Sequence, residues 1–305
     1  MTGGRAVAAP VGALRLWVMA ARPRTLPAAV APVIVGTALA GSEDVFRPLA
    51  FVCALIGSVF IQIGTNLSND YSDARRGADT EDRLGPVRVT AGGLMPPRQV
   101  LVGTYVAFGI AVAAGAYLIA IAGWQLLVVG AASILAGVLY TGGPRPYGYE
   151  GLGEVFVFLF FGVVAVTGTY FAQTKHLTWE AFVLAVPVGL LAVAILMVNN
   201  VRDLETDRRA GKRTLAVRLG RERARTLYAV VVYVAFLTAP VAWIAGGEGL
   251  SAWLLLPWLA LPLAAQVVRV VRNRVDGPSL NGALARTGML QLVFCVLLSA
   301  GLLAS

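Results

Sequence analysis

Long apolar blocks that carry almost no charge constrain this chain more than any other feature of its sequence. A bilayer core of about 30 Å requires about 20 residues of helix, and nine blocks approach that length. They cover residues 24–41, 48–68, 100–121, 123–141, 152–172, 180–200, 226–245, 251–270 and 284–303. The chain is therefore predicted to be an all-α, polytopic membrane protein with about nine transmembrane helices in one bundle. All 305 residues are expected to form a single domain.

The positions of the charges exclude one function and predict an orientation. A net charge of +9 could indicate nucleic-acid binding, but the basic residues lie in short loops between apolar blocks, so no nucleic-acid partner is expected. With the N-terminus in the cytoplasm, 23 of the 25 basic residues fall on the cytoplasmic side, leaving Arg47 and Lys175 outside. The positive-inside rule favours this orientation, and an odd number of spans then puts the C-terminus outside. Cys53 and Cys295 lie within apolar blocks and are expected to be small buried hydrophobic residues.

Two acidic clusters follow apolar spans on the predicted cytoplasmic side, in the loops 69–99 and 201–225. On a helix, Asn66, Asp70 and Asp73 fall within an arc of about 60°. The second set falls within an arc of about 80° and consists of Asn199, Asp203 and Asp207. Each set therefore forms one stripe of carbonyl and carboxylate oxygens at the membrane edge.

Oxygen ligands without histidine or cysteine favour hard cations, and Mg²⁺ combines a few carboxylates with phosphate oxygens. Two facing acidic stripes are therefore expected to bind a diphosphate through Mg²⁺. Further cations could reach the diphosphate oxygens from Arg75, Arg76, Arg88, Lys212 and Arg213. The same residues are also compatible with solvated helix ends and positive-inside anchors. An ion-coupled transporter is a third possibility, although transporter sites usually lie near the bilayer midplane.

Several motifs resemble those of the UbiA-type membrane prenyltransferases, which transfer a polyisoprenoid from its diphosphate to an aromatic acceptor. The acidic motifs Asn69-Asp70-Tyr-Ser-Asp73 and Asn199-Asn200-Val-Arg-Asp203 carry the resemblance to the family. Flanking sequence is similar to the branch that acts on 1,4-dihydroxy-2-naphthoate in menaquinone biosynthesis. These stretches are Arg22-Pro-Arg-Thr-Leu-Pro, Gly85-Pro-Val-Arg88, Tyr140-Thr-Gly-Gly-Pro-Arg145-Pro-Tyr147-Gly-Tyr149, Gly151-Leu-Gly-Glu154 and Gly211-Lys-Arg-Thr.

The resemblance implies roles for individual residues around a central cavity. Metal ligands would be Asn66, Asp70 and Asp73 on one side of the diphosphate, and Asn199, Asp203 and Asp207 on the other. Tyr140 would lie near the reacting carbon, and the four aspartates with Tyr140 would form the catalytic set. Substrate contacts would come from Arg22, Asn66, Asn69, Arg75, Arg88, Arg145, Tyr147, Tyr149, Asn199, Asn200, Lys212 and Arg213. Whether Asp73 or Asp79 completes the first cluster is left open by the spacing.

The reaction implied by the resemblance joins a polyprenyl group to dihydroxynaphthoate, with Mg²⁺ as cofactor and with loss of diphosphate and CO₂, giving demethylmenaquinone. A different aromatic acceptor, 4-hydroxybenzoate or a porphyrin, is the alternative. The expected location is the bacterial cell membrane. His176, in the predicted outer loop, is expected to be too far from the chemistry to act as a base.

Overall fold

A computed structural model describes residues 12–78, 84–245 and 251–305, and every regular element in these ranges is helical. The α-helices are α1 (Ala13–Ala21), α2 (Pro27–Gly41), α3 (Pro48–Arg75), α4 (Pro97–Ala122), α5 (Gln125–Leu139), α6 (Gly153–Val157), α7 (Ala165–Thr174), α8 (Trp179–Arg209), α9 (Leu215–Leu219), α10 (Arg221–Ala245), α11 (Leu261–Asn273) and α12 (Gly277–Leu303). A π-helical segment, Phe158–Val164, joins α6 to α7, and a 3₁₀ segment, Ala252–Ala260, leads into α11. Asp79 lies outside the described residues.

The prediction of nine membrane spans is not confirmed. Within the described ranges, seven helices are long and apolar enough to cross a bilayer. An eighth span results if Ala13–Thr25 and Pro27–Gly41, which meet at a bend of 55°, are counted together. The remaining segment, α5, has only 15 residues, or about 22 Å of helix. It begins after Gly123, whose φ is +118°, and ends just before the Gly-Gly-Pro sequence at 142–144.

Successive long helices run in opposite directions between two ends of the bundle. We call the end that carries Asp73 and Asp207 the acidic end. At this end Asn281 Nδ2, in the first turns of α12, donates to the Leu84 carbonyl oxygen at 3.1 Å. At the opposite end the Arg47 backbone N–H donates to Gln173 Oε1 at 2.7 Å. This alternation places the C-termini of α3 and α8 at the same end.

The opposite end also holds His176, whose Nε2 lies 3.0 Å from Tyr170 Oη. The Tyr170 hydroxyl donates to Glu43, so these contacts join the connection after α2 to the connection after α7. His176 therefore lies far from the acidic clusters, as expected. Of the two free cysteines, Cys295 is buried as predicted, whereas Cys53 is only partly buried.

The bundle has a packed half and a hollow half. α8 is the most buried of the seven long helices and forms a continuous apolar core with α2, α10, α11 and α12. α3 and α4 are the least buried and form outer walls. Where the π-helical segment crosses α8, a Cβ added to Gly162 would lie 2.6 Å from the Cα of Gly189. Glycine at both positions therefore allows the two backbones to come into contact, which fixes one wall of the hollow half against α8.

Candidate active site

The hollow half contains a cavity of about 750 Å³ that is polar at the acidic end and apolar further in. On α3 the cavity-lining residues recur every three to four positions and include Ala54, Ser58, Thr65, Asn69 and Asp73. This is one face of a helix, and the stretch from Ala54 to Asp73 is about 28 Å long. Other walls are formed by residues of α2, α4, α5, α7 and α8 and by α6 with the π-helical segment that follows it. The cavity can therefore hold an elongated apolar chain with a charged group at one end.

Lys212 connects the two predicted acidic clusters. Its Nζ lies 3.6 Å from Asp73 Oδ2 and 3.8 Å from Asp207 Oδ1, and all three residues line the cavity. The Asp73 and Asp207 oxygens nearest to Lys212 are therefore close enough to share one cationic group. The Tyr149 ring lies beneath the ammonium, with the ring centroid 4.8 Å from Nζ.

Asp73 is buried within a network of donors. Its Oδ1 accepts a hydrogen bond of 2.6 Å from the Tyr149 hydroxyl, and its Oδ2 lies 3.4 Å from Arg88 Nη2. Arg88 also lines the cavity. Asp73 is therefore the acidic group of α3 that lines the cavity within the described residues.

The Asp70 carboxylate, a predicted metal ligand, binds backbone N–H groups in this structure. Its Oδ2 accepts from the Val89 backbone N–H and its Oδ1 from the Thr90 backbone N–H, both at 3.1 Å. The carboxylate is buried and is not among the groups that line the cavity. Asp70 therefore anchors the loop that carries Arg88, while its neighbour Asn69 faces the cavity.

Asp203 lines the cavity but is already paired with its sequence neighbour. Arg202 Nε and Nη2 donate to the two carboxylate oxygens of Asp203 at 2.8 and 2.6 Å. The same guanidinium donates to Asn199 Oδ1 at 2.6 Å and to Asn281 Oδ1 at 2.7 Å. Sequence reasoning missed Arg202, although it lies within the second acidic motif. This arginine links two predicted metal ligands to α12.

Asparagine side chains supply neutral oxygens around the same end. Asn66, Asn69, Asn199 and Asn200 all line the cavity. Asn66 Nδ2 donates to the Ala21 carbonyl oxygen at 2.9 Å, which ties α3 to the chain near Arg22. Asn69 Oδ1 accepts from the Thr141 hydroxyl at 2.9 Å.

Among the described residues, no three acidic, histidine or cysteine side chains form a ready-made metal cluster. The metal-ligand roles of Asp70 and Asp203 therefore stay predictions. In this structure Asp70 binds backbone N–H groups and Asp203 binds Arg202. Asp73, Asp203 and Asp207, with the nearby amide oxygens, are the oxygen donors that line the cavity, and donors of this kind suit a hard cation.

An aromatic wall lies beside the acidic groups. Tyr147 packs edge-on against Tyr140, with the ring centroids 5.4 Å apart, and stacks on Phe156, with the ring centroids 4.0 Å apart. Phe160 in turn stacks on Phe156. All four rings line the cavity. Burial raises the pKa of Tyr147, so its hydroxyl stays protonated and donates to the Ala136 carbonyl oxygen at 2.9 Å. The sequence analysis identified Tyr140 and Tyr147 but missed Phe156 and Phe160, because the spacing of these two phenylalanines from Tyr147 does not distinguish them.

The predicted arginines divide into two groups. Arg22 and Arg88 line the cavity. Arg75, Arg145 and Arg213 are exposed and are not among the lining residues. Arg75 donates to Tyr71 Oη at 3.2 Å on the same helix. The predicted contact between Arg145 and the acceptor is therefore not supported by the position of this side chain.

The model of the UbiA prenyltransferase family matches residues 29–281, which include both acidic motifs and most of the cavity walls. The chain belongs to the UbiA prenyltransferase family. Its curated relatives include the 1,4-dihydroxy-2-naphthoate octaprenyltransferase of Mycobacterium tuberculosis, 41% identical over 94% of this chain and 96% of that protein. The enzyme of the same name from Escherichia coli is 38% identical over 89% of both chains.

Solved structures share the UbiA fold at low sequence identity. A UbiA homologue from Archaeoglobus fulgidus bound to GPP and Mg²⁺ aligns with a TM-score of 0.65 and 16% identity over 95% of this chain and 100% of that one. A structure of a UbiA homologue from the same organism bound to Cd²⁺ aligns with a TM-score of 0.64 and 14% identity, covering 95% of this chain and 99% of that one. At this level of identity the likeness shows the fold of the membrane domain.

Proposed function

We propose that this chain transfers a polyprenyl group from polyprenyl diphosphate to 1,4-dihydroxy-2-naphthoate. The observation that carries the proposal is the similarity to relatives that bear this activity in their names, at 35–41% identity over most of the chain. The cavity agrees with it, because charged and amide groups meet at one end of a long apolar space.

The diphosphate would bind at the acidic end. Asp73, Asp203 and Asp207, with the amide oxygens of Asn66 and Asn199, would hold Mg²⁺, for which carboxylate and carbonyl oxygens are suitable donors. Bound Mg²⁺ would neutralise the diphosphate and make it a better leaving group. Lys212, between the Asp73 and Asp207 carboxylates, would donate directly to diphosphate oxygens, and Arg22 and Arg88 would add positive charge at the cavity wall.

The prenyl tail would lie in the apolar part of the cavity between α3, α4, α5 and α7. Departure of diphosphate leaves an electron-deficient allylic carbon, which must be kept from water. The faces of Tyr140, Tyr147 and Phe156 would shield this carbon and stabilise its positive charge. The acceptor ring then forms the new carbon–carbon bond, and its carboxylate is released as CO₂.

The membrane orientation is part of the proposal. Arg88, Lys212 and most other basic residues of the loops belong to the acidic end, which the positive-inside rule assigns to the cytoplasm. We therefore place the reaction on the cytoplasmic face of a bacterial cell membrane, with the N-terminus inside and the C-terminus outside.

The test is a product assay with purified protein, a polyprenyl diphosphate and either dihydroxynaphthoate or 4-hydroxybenzoate. We expect mass spectrometry to detect a prenylated and decarboxylated naphthalenediol, only when a divalent cation is present. Prenylation of 4-hydroxybenzoate in preference to the naphthoate would overturn the proposed acceptor. Equal product formation after chelation of divalent cations would overturn the metal requirement.

A further inference from the structure

A buried glutamate beside the aromatic wall has no role in the chemistry described above. Glu154 lies in the first turn of α6 and is 8% exposed. Its Oε1 accepts a hydrogen bond of 2.9 Å from Asn200 Nδ2, while its Oε2 is buried with no hydrogen-bond partner among the described residues. A buried carboxyl group is expensive unless its contacts offset the lost hydration. If this position served only packing, an apolar side chain would be more favourable than a glutamate.

The position of α6 is tightly determined, so the contact between Glu154 and Asn200 is well oriented. A Cβ added to the preceding Gly153 would lie 3.2 Å from Leu196 Cδ2 and 3.3 Å from the Tyr140 ring. Glycine at this position therefore lets α6 sit against both α8 and Tyr140. Leu196 is one helical turn before Asn200, so Glu154 meets Asn200 where α8 passes the aromatic wall.

The contact with Glu154 determines the orientation of the Asn200 side-chain amide. Glu154 Oε1 accepts from Asn200 Nδ2, so the Asn200 amide turns its NH₂ group toward Glu154. Asn200 lines the cavity. With its nitrogen engaged by Glu154, its Oδ1 is the group available to a ligand there. Glu154 therefore makes this part of the wall a hydrogen-bond acceptor and prevents the amide from presenting its nitrogen.

We propose that Glu154 is a positioning residue, which fixes the Asn200 amide so that its oxygen accepts a hydrogen bond from a hydroxyl group of the aromatic acceptor. This inference rests on the proposed function and specifies the acceptor as a ring that donates a hydrogen bond. A hydroxyl group that donates to Asn200 has a more electron-rich oxygen. The ring attached to it is then a better nucleophile at the carbon that attacks the prenyl group.

The experiment compares the purified Glu154→Ala and Glu154→Gln variants with the unaltered protein. For Glu154→Ala we expect kcat/KM for the acceptor to fall about tenfold or more, with KM for the prenyl diphosphate unchanged. Glu154→Gln keeps an oxygen that accepts from Asn200 and should remain within about threefold of the unaltered protein. Glu150→Gln, an exposed position four residues earlier, is the matched control and should change neither constant.

A second pair of variants tests the same inference if Glu154→Ala does not fold. Asn200→Asp places two carboxylates together and should lower kcat/KM for the acceptor about tenfold or more. Adding Glu154→Gln to it allows the introduced glutamine amide to donate to the introduced carboxylate, which leaves the second carboxylate oxygen facing the cavity. The double variant should therefore recover most of the lost efficiency.

Three results would overturn the inference. The first is a Glu154→Gln variant as impaired as Glu154→Ala, because charge or proton transfer would then matter instead of amide orientation. The second is an increase mainly in KM for the prenyl diphosphate, and the third is a double variant no better than Asn200→Asp. If the unaltered protein prenylates another hydroxylated ring, the proposed acceptor fails, and the same comparison is made with that ring.

Discussion

Replacing Lys212 with methionine would remove the ammonium group that lies between Asp73 and Asp207 while keeping most of the side-chain volume. At separations of 3.6 and 3.8 Å, and with an effective dielectric constant of about 20, each attraction is about 4–5 kcal/mol before desolvation. Breaking a buried pair usually costs about 3–5 kcal/mol because a charge is left unpaired. Arg88 still contacts Asp73 in the variant, so we expect the lower end, about 3 kcal/mol.

Thermal unfolding in detergent measures this loss. About 3 kcal/mol should lower the apparent Tm by about 5 °C or more. Added Mg²⁺ should raise the Tm of the Lys212→Met variant more than that of the unaltered protein, because the two carboxylates no longer have the ammonium beside them. The control is Lys175→Met, since Lys175 is exposed at the opposite end and is the other lysine of the chain.

Two results would refute this reasoning. An equal Mg²⁺ response in the variant and the unaltered protein would show that the carboxylates beside Lys212 do not bind the cation. A Lys175→Met variant with the same loss of Tm would show that the effect of the lysine is not specific to the acidic end.

Four other predictions test individual residues and the membrane orientation. Asp207→Asn should lower turnover and raise KM for the prenyl diphosphate about tenfold, because Asp207 faces the cavity. Asp70→Asn should instead mainly lower the Tm, because it weakens the contacts that hold the loop at Val89 and Thr90. Arg145→Ala should leave KM for the naphthoate within about twofold, since this exposed side chain does not line the cavity. Cysteines introduced at Ala78 and Arg209 should react with a membrane-impermeant reagent only from the cytoplasmic side.

Each of these predictions has a contradicting outcome. Normal turnover by Asp207→Asn would remove it from the proposed metal ligands, and a selective increase in KM for the prenyl diphosphate in Asp70→Asn would restore Asp70 to them. A large increase in the naphthoate KM in Arg145→Ala would mean that the loop closes over the acceptor. Labelling of either cysteine from outside would reverse the proposed orientation.

The helical bundle was predictable because a backbone in lipid must satisfy its hydrogen bonds within each segment. Long apolar blocks therefore become helices whatever their neighbours are, and each predicted block corresponds to a helix of the structure. The number of complete spans was less predictable. The block 123–141 has a sufficient count of apolar residues, but its turn residues at both ends shorten α5 to 15 residues.

The neighbourhood of the acidic motifs was also predictable, since two spans that end on the same side bring their C-termini to one end of the bundle. Periodicity did not separate the aspartates, because Asp70 lies within about 60° of Asn66 and Asp73 around the helix, and both of these line the cavity.

The tertiary structure decided what each polar group does, because the partner comes from a distant part of the chain. Asp70 binds a backbone segment 19 and 20 residues later, and Arg202 is held by Asn281, which is 79 residues away. Glu154 meets Asn200 across 46 residues. Local spacing determines which side chains share a helix face, but whether a buried carboxylate binds a metal, an arginine or an amide depends on which helices pack against that face.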